Sequence, residues 1–373
     1  MRPLTTSPGL DTLPLRDDLR GRSPYGAPQL DVPVALNTNE NPYPPSAALV
    51  EDIARSVAVA ATALNRYPDR NCLELRAALA SYLGHDLSAA NVWPANGSNE
   101  VLAQLLQAFG GAGRRALGFE PSYSMHPRIV EVTGTTWVAR DRDPDLGLRA
   151  ATALAALDEV QPALVFLTRP NNPTGTSMPV ETVAAVADAF AGIVVVDEAY
   201  QEFSAQPSAL TLLPDYPRLV VVRTMSKAFA LAGGRLGYLA AAPAVVDALQ
   251  LVRLPYHLAS TSQAAALAAL RHADETLGSV AQVAADRDAL VPALERLGLD
   301  VVPSDANFLL LRGFRDPKAV WEGLLEHGVL IRDVGIPGAL RVTIGTSEEC
   351  AVFRTALTHV LTSQALEKDG TDG

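Results

Sequence analysis

The sequence Leu219-Val220-Val221-Val222-Arg223-Thr224-Met225-Ser226-Lys227 passes from a short apolar run into a lysine that follows a hydroxyl residue. Arg235 comes eight positions after this lysine, in a glycine-rich stretch. A lysine amine can condense with an aldehyde, and a hydroxyl and a guanidinium can together hold a phosphate. By itself the pattern also fits a surface lysine and a salt-bridged arginine, so the interpretation depends on two further motifs upstream.

Two other polar motifs follow apolar runs in the same way. Arg169-Pro170-Asn171-Asn172-Pro173-Thr174-Gly175 comes after Ala163-Leu164-Val165-Phe166-Leu167, and Asp197-Glu198-Ala199-Tyr200 comes after Ile193-Val194-Val195-Val196. Short runs of β-branched or aromatic residues, bounded by turn residues, predict buried strands. Because open α/β sheets bind ligands at the carboxyl ends of their strands, we expect the three motifs to meet at one edge.

The side chains of these motifs suit a pyridoxal ring with an aldehyde and a phosphate. Asp197 is placed to keep the ring nitrogen protonated, which stabilises a carbanion. The amide of Asn172 and the phenol of Tyr200 can donate hydrogen bonds to the ring oxygen. Taken singly, Asp197 could be a helix cap and Asn172 a turn former. Helix caps and turns alone do not readily explain why all of these residues occur together, in the order Asn172, Asp197-x-x-Tyr200, Ser226-Lys227 and Arg235.

Together the motifs resemble the fold-type I pyridoxal 5'-phosphate enzymes of the class I and II aminotransferase superfamily, over residues 15–361. The resemblance implies an α/β fold: a large domain with a mainly parallel seven-stranded sheet between helices, a smaller α+β domain and an extended N-terminal arm. A narrower resemblance points to the histidinol-phosphate aminotransferases. The segments that carry it are residues 19–28, 37–43, 66–69, 97–100 and 340–346.

The resemblance also implies a cofactor site. Lys227 would bind pyridoxal 5'-phosphate covalently and move a proton on the substrate, with Asp197 and Tyr200 as the other catalytic residues. The turn at Gly97 begins a predicted helix whose free N–H groups suit a phosphate, although an ordinary capped helix needs the same residues. The residues implied to contact the cofactor are Tyr67, Gly97, Ser98, Asn99, Tyr123, Asn172, Asp197, Tyr200, Thr224, Ser226, Lys227 and Arg235.

Two of these tyrosines have special roles in the resemblance. The ring of Tyr123 stacks on the cofactor, where a core aromatic is the plain alternative. Tyr67 crosses the subunit interface to the partner's cofactor phosphate, which makes a homodimer obligatory for function. The plain alternative for Tyr67 is a turn tyrosine before a proline.

Arg341 alternates with apolar residues on a predicted strand, and an inward guanidinium suits a carboxylate. In the resemblance it holds the α-carboxylate of the amino-acid substrate, with Asn39 and Asn307 as further candidates for substrate binding. Tyr25, Tyr256 and Arg332 are candidates for the substrate phosphate. An interface tyrosine, a core tyrosine and a surface arginine explain these three equally well.

The resemblance therefore predicts transfer of an amino group between L-histidinol phosphate and 2-oxoglutarate, giving imidazole acetol phosphate and glutamate, in histidine biosynthesis. An aromatic amino-acid (phenylalanine) aminotransferase is the first alternative, and a pyridoxal-phosphate decarboxylase of a phosphorylated amino acid is the second. A non-catalytic regulator with an aminotransferase-like domain would carry an N-terminal DNA-binding module, for which this chain has no room and no basic patch.

Composition and charge exclude other classes. The 373 residues are 48% apolar and carry a net charge of −11, with no long basic run, which argues against a nucleic-acid partner. Two cysteines, Cys72 and Cys350, give no disulfide framework and no metal cluster, the histidines show no metal spacing, and a reducing cytoplasm fits. We expect no membrane span, since no apolar stretch approaches roughly 18 residues.

We predict an arm over residues 1–45 that packs on the small domain and the dimer interface, a large cofactor-binding domain over 46–255 and a small domain over 256–373. Alternating strands and helices predict the parallel sheet of the large domain. Asp141-Arg142-Asp143 predicts a solvated loop. The predicted helices cover 72–83, 98–109, 260–272, 274–297 and 317–327, and the predicted strands cover 115–119, 135–139, 163–167, 193–196, 219–222, 236–241, 308–311, 329–331 and 341–344.

Overall fold

The computed structural model describes residues 12–24 and 26–369, and for 364–369 only the backbone. Described residues up to Asp31 form one compact unit, and those from Val32 onward form another. In the first unit, Asp17–Leu19 forms a single 3-10 turn, and Arg16 pairs with Asp18 at 2.8 Å. Tyr25, a candidate for the substrate phosphate, lies outside the described residues.

The second unit alternates strands and helices along its first half. Its helices are α1 (Ala47–Ala61), α2 (Leu73–Leu83), α3 (Ser98–Phe109), α4 (Met125–Val132), α5 (Ala150–Val160), α6 (Val180–Ala189), α7 (Pro243–Val252), α8 (Ser260–Arg271), α9 (Ala273–Glu295), α10 (Pro317–Glu326) and α11 (Ser347–Asp369). Its strands are β1 (Val34–Ala35), β2 (Val92–Ala95), β3 (Arg115–Glu120), β4 (Thr136–Asp141), β5 (Leu164–Thr168), β6 (Ile193–Asp197), β7 (Leu219–Thr224), β8 (Gly237–Ala241), β9 (Asp300–Val301), β10 (Phe308–Arg312), β11 (Val329–Leu330) and β12 (Ala339–Thr343).

The central sheet has seven strands in the order β2-β8-β7-β6-β5-β3-β4. Only β8 runs against its neighbours, so the sheet is mainly parallel, as predicted. Strands β5, β6 and β7 are buried along their whole length. Their continuous apolar runs follow from this burial, because helices cover both faces of a parallel sheet and leave no face for polar residues.

The register of the three central strands brings their carboxyl ends to one edge. Thr168, the last residue of β5, lies opposite Asp197, the last residue of β6. Asp197 in turn lies opposite Val222 in β7. The polar motifs that follow these strands therefore leave the sheet side by side.

A second sheet lies in the C-terminal part of the unit, with β10 between β12 and β9 and every pair antiparallel. Strand β1 pairs in parallel with β11, which ties residues 34–35 to the C-terminal part of the chain. Arg332 forms an isolated antiparallel bridge with Arg341. The domain boundaries at residues 45 and 255 stay predictions.

Most predicted elements agree with the structure to within two residues, and α3 agrees at both ends. No prediction covered helices α1, α4, α5, α6, α7 and α11 or strands β1, β2 and β9. Within the part of the chain that the structure describes, no helix is both long and apolar enough to cross a membrane.

Candidate active site

The three strand ends carry the side chains that the motifs predict. Tyr200, two residues beyond Glu198, accepts a hydrogen bond on its phenol oxygen from Asn172 Nδ2 at 3.3 Å. Asn39, from the N-terminal end of the unit, donates to the same oxygen at 3.0 Å. Asn39, Asn172 and Tyr200 therefore converge, although they lie far apart in the sequence.

Lys227 follows the end of β7 and reaches back over the same edge. Its Nζ donates to the backbone carbonyl of Thr38 at 2.9 Å. The pKa of the Lys227 amine is lowered from its ordinary 10.5 to about 8, chiefly by burial and also by the charges of Arg341 and Arg235, while Glu40 opposes them. An amine with this pKa is neutral in a much larger fraction of molecules near physiological pH than an ordinary lysine, so it can act as a nucleophile or a base.

Arg341 lies beside this group on strand β12. Its Nη1 donates to Asn172 Oδ1 at 2.6 Å, and its Nη2 donates to the carbonyl of Asn37 at 2.9 Å. The guanidinium carbon also lies 5.2 Å from the centre of the Phe308 ring. Arg341 is buried, so its charge faces the other site residues rather than bulk water.

Asn307, a second candidate for substrate binding, is fully buried next to this group. Its Nδ2 donates to the carbonyl of Asn39 at 3.2 Å, while its Oδ1 is buried and has no hydrogen-bond partner among the described residues. The structure thus brings Asn307, Asn39 and Arg341 together with Lys227. Arg332 adjoins them through its backbone bridge to Arg341 and is partly exposed.

A cradle of main-chain and cationic groups lies at the start of α3. Gly97 has a φ of 83°, and no side chain caps the helix. A methyl group on Gly97 would lie 2.8 Å from a guanidinium nitrogen of Arg235, and one on Gly237 would lie 2.1 Å from the amide nitrogen of Ser98. Glycine at both positions therefore lets Arg235 and β8 approach the helix start, where the first N–H groups have no intrahelical acceptors.

The residues present fit pyridoxal 5'-phosphate. A helix N-terminus beside an exposed guanidinium suits the phosphate dianion. Ser226 is buried next to Lys227, and its amide donates to Thr224 Oγ1 at 3.1 Å, so these residues are fixed close to the amine. Tyr123 donates to Asn99 Oδ1 at 3.4 Å, which ties the candidate stacking ring to the same cradle.

Asp197 has a partner that the sequence analysis did not identify. Oδ2 of Asp197 lies 3.0 Å from Nε2 of His126, and Oδ1 accepts the amide of Ala199 at 3.1 Å. The His126 ring packs edge-on against Tyr123, with the centroids 5.3 Å apart. Tyr123 lies two residues before α4 and His126 lies in its first turn, so the three-residue spacing between them was the available signal, and it was missed because α4 was not predicted.

Tyr67 and Tyr256 lie together on the surface. Their rings stack with centroids 4.4 Å apart and planes 16° apart, and they are 79% and 40% exposed. Tyr256 has a φ of 58°, in the left-handed region. Within the described residues, neither tyrosine is hydrogen-bonded to Lys227 or to the side chains gathered around it, which are Asn39, Asn172, Tyr200, Asn307 and Arg341.

One prediction about this region was wrong. Arg142 is not part of a solvated loop: its side chain is buried and donates to Thr168 Oγ1 at 2.7 Å. Burial lowers the pKa of the Arg142 guanidinium to about 10. The pattern misled because the two acidic neighbours are not part of a solvated loop either: Asp141 ends strand β4, and the Asp143 carboxylate is 11% exposed and accepts a hydrogen bond from Thr152 Oγ1 at 2.7 Å.

In the described part of the chain, no three His, Cys, Asp or Glu side chains are grouped to hold a metal ion. Both cysteines are free and buried.

Comparison with known proteins places the site in context. The profile of the family "Aminotransferase class I and II" matches residues 32–357. A relative named histidinol-phosphate aminotransferase from Thermobifida fusca is 63% identical over 350 residues, covering 93% of this chain and 95% of the relative. A protein of the same name from Nocardia farcinica is 61% identical over 369 residues, covering 98% and 96%.

A solved structure gives the same picture at lower identity. The histidinol-phosphate aminotransferase of Sinorhizobium meliloti, crystallised with pyridoxal 5'-phosphate, superposes with a TM-score of 0.81 at 28% identity. The match covers 89% of this chain and 92% of the other. This agreement confirms the fold-type I architecture that the sequence predicted.

Proposed function

The chain belongs to the aminotransferase class I and II family, and from that premise we propose that it transfers an amino group between L-histidinol phosphate and 2-oxoglutarate, giving imidazole acetol phosphate and glutamate. The observation that carries the substrate assignment is the 63% identity, over 93% of the chain, to a relative named histidinol-phosphate aminotransferase. The convergence of Lys227, Asn172, Tyr200 and Arg341 supports the reaction class.

Pyridoxal 5'-phosphate is the cofactor, and when bound it supplies an aldehyde for amines and a ring that accepts the electron pair left when a carbon-bound proton departs. Its phosphate is assigned to Arg235, Ser226, Thr224 and the helix start at Gly97, Ser98 and Asn99. The ring face is assigned to Tyr123, the ring nitrogen to Asp197, and the ring oxygen to Asn172 and Tyr200.

Lys227 serves as the base and the acid of the reaction. Because its pKa is lowered to about 8, Nζ can take a proton from the carbon that carries the amino group and later return one. The carbonyl of Thr38 accepts from Nζ at 2.9 Å and so holds the amine at the edge of the sheet. His126 holds one carboxylate oxygen of Asp197 and so fixes the orientation of the carboxylate that is assigned to the ring nitrogen.

Arg341 is assigned to the carboxylate of glutamate or 2-oxoglutarate. A guanidinium fixed by Asn172 and the carbonyl of Asn37 is oriented in advance, so little conformational freedom is lost on binding. Histidinol phosphate has no carboxylate for Arg341 to bind. Its phosphate needs hydrogen-bond donors of its own. Tyr25, Tyr256 and Arg332 remain the candidates.

We further propose a cytoplasmic homodimer in which Tyr67 reaches the cofactor phosphate of the partner subunit. Tyr67 is exposed, and large apolar side chains close to it or to Tyr256 in sequence are exposed as well: Leu64, Leu251 and Leu254. Exposed large apolar side chains near a pair of stacked, exposed tyrosines favour a partner subunit over this part of the surface. Two free, buried cysteines agree with a reducing compartment.

The substrate assignment is tested by steady-state kinetics with histidinol phosphate and phenylalanine as amino donors. We expect kcat/KM for histidinol phosphate to be larger by at least about tenfold, which corresponds to about 1.4 kcal/mol of transition-state binding. A preference for phenylalanine would instead support the aromatic aminotransferase. Release of carbon dioxide without amino transfer would support the decarboxylase.

A further inference from the structure

A loop from the N-terminal end of the second unit lies over the reactive lysine. The carbonyl of Thr38 accepts a hydrogen bond from Nζ of Lys227. Asn39 Nδ2 donates to the phenol oxygen of Tyr200, and Asn41 Nδ2 donates to the carbonyl of Ala228 at 3.0 Å. Glu40 stands between two residues that are each bonded to the site. Its position in the site is therefore fixed by its neighbours on both sides.

The backbone and side chain of Glu40 are also held. Its carbonyl accepts from Asn307 Nδ2 at 3.4 Å, and its Oε2 accepts from Thr38 Oγ1 at 2.8 Å. Its side chain is exposed, and Glu40 belongs to none of the ion pairs found within the described residues. This carboxylate lies on the loop that covers the reactive amine, and its negative charge favours the protonated form of Lys227, against the effects of burial and Arg341.

Glu40 differs in charge from the other groups that act on the Lys227 amine. Arg341 and Arg235 are cationic and suit carboxylate and phosphate groups. An ionised carboxylate can only accept hydrogen bonds, so it repels those anions and needs a donor. Of the groups on the proposed substrates away from the reacting amine, the imidazole ring is the one that offers an N–H and can carry positive charge. Phenylalanine offers only a hydrocarbon ring at that place.

We propose that the Glu40 carboxylate accepts a hydrogen bond from the imidazole ring of the amino donor and so selects this donor over those with a hydrocarbon ring. The inference rests on the proposed function and assigns a specificity role within it. A charge-assisted hydrogen bond that the bound donor itself shields from water is strong enough to discriminate by about ten- to a hundredfold.

The test measures single-turnover rates of the holoenzyme with histidinol phosphate, phenylalanine and glutamate in turn. In Glu40→Gln we expect kcat/KM for histidinol phosphate to fall by about tenfold or more, and in Glu40→Ala by at least as much. Measured above pH 8, where the Lys227 amine is mostly neutral with or without Glu40, the values for phenylalanine and glutamate should stay within about twofold, which also shows that the variants are folded. Glu51→Gln, an exposed glutamate on α1, controls for the change in net charge and should leave all three values unchanged.

Two results would overturn the inference. An equal loss with all three substrates would mean that Glu40 acts only through Lys227 and does not contact the imidazole ring. Unchanged selectivity would mean that the carboxylate does not contact the donor. Failure of the proposed function is distinguishable, because it would appear in the wild-type enzyme as a lack of turnover with histidinol phosphate.

Discussion

His126 Nε2 lies 3.0 Å from Asp197 Oδ2, and both side chains are almost completely buried. Because an ionised carboxylate only accepts, this nitrogen of His126 carries the proton and donates. The bond fixes the rotation of the carboxylate that is assigned to the cofactor ring nitrogen.

Replacing Asp197 by Asn should remove most of the transaminase activity, by about a hundredfold or more, because a neutral amide cannot stabilise a protonated ring nitrogen. His126→Asn should retain Asp197 but lower kcat by about tenfold, since a hydrogen bond to a charged group is lost. Both variants should still bind the cofactor, which its visible absorbance would show. Near-normal turnover in Asp197→Asn would rule out the role proposed for Asp197.

The amine of Lys227 should capture the cofactor in a pH-dependent way. A pKa lowered to about 8 means that apoenzyme holds mostly neutral amine above that pH and mostly protonated amine below it. The rate of covalent capture should therefore fall about tenfold per pH unit below 8 and level off above it. Stopped-flow absorbance measures the rate, and borohydride trapping identifies the linked residue.

Two variants sharpen this test. Arg341→Met removes a charge that lowers the pKa of Lys227, so the rate profile should move to higher pH, and Glu40→Gln should move it to lower pH. Lys227→Ala should give no linkage that borohydride can trap. Trapping at another lysine in that variant would show that the assignment of Lys227 is wrong.

Arg341→Ala should damage the glutamate half-reaction far more than the histidinol-phosphate half-reaction. Glutamate offers a carboxylate to the guanidinium, and histidinol phosphate does not. Loss of a charged, partly buried hydrogen-bonded pair should lower kcat/KM for glutamate by about a hundredfold. Single-turnover measurement of each half-reaction separates the two effects. Equal losses would mean that Arg341 shapes the site through its bond to Asn172 and does not select a substrate.

Tyr67 should act across a subunit interface. When Lys227→Ala and Tyr67→Phe subunits are mixed, a heterodimer carries one site with both defects and one site with neither. Its activity should exceed that of either parent. If subunit exchange is demonstrated and no activity is recovered, Tyr67 belongs to the site of its own subunit.

Glu198 should matter for stability. Its carboxylate is fully buried between Arg169, which directly follows β5, at 3.1 Å, and Arg223, in β7, at 2.9 Å. Glu198→Ala would leave two buried guanidiniums without this partner, so we expect a loss of about 3–5 kcal/mol in the free energy of unfolding. Urea titration measures it. Glu159→Ala breaks an exposed pair with Arg140 and should cause no measurable loss.

The sequence alone determined the strands and the residues at their ends. Short, fully apolar runs bounded by turn residues predict β5, β6 and β7, because a strand buried on both faces excludes polar side chains. Asn172, Asp197 and Lys227 follow those runs directly, so their meeting at one edge is a consequence of parallel pairing. These inferences depend on neighbours in the chain, which a single sequence contains in full.

Tertiary structure decided which distant groups touch. Thr38 meets Lys227 across 189 positions of the chain, and Arg341 meets Asn172 across 169. Arg142 is buried although acidic residues flank it, and His126 reaches Asp197 because α4 packs beside the sheet. Such contacts depend on how helices and sheets pack together, and the local pattern of apolar and polar residues does not specify that packing, so only the folded chain shows the partners.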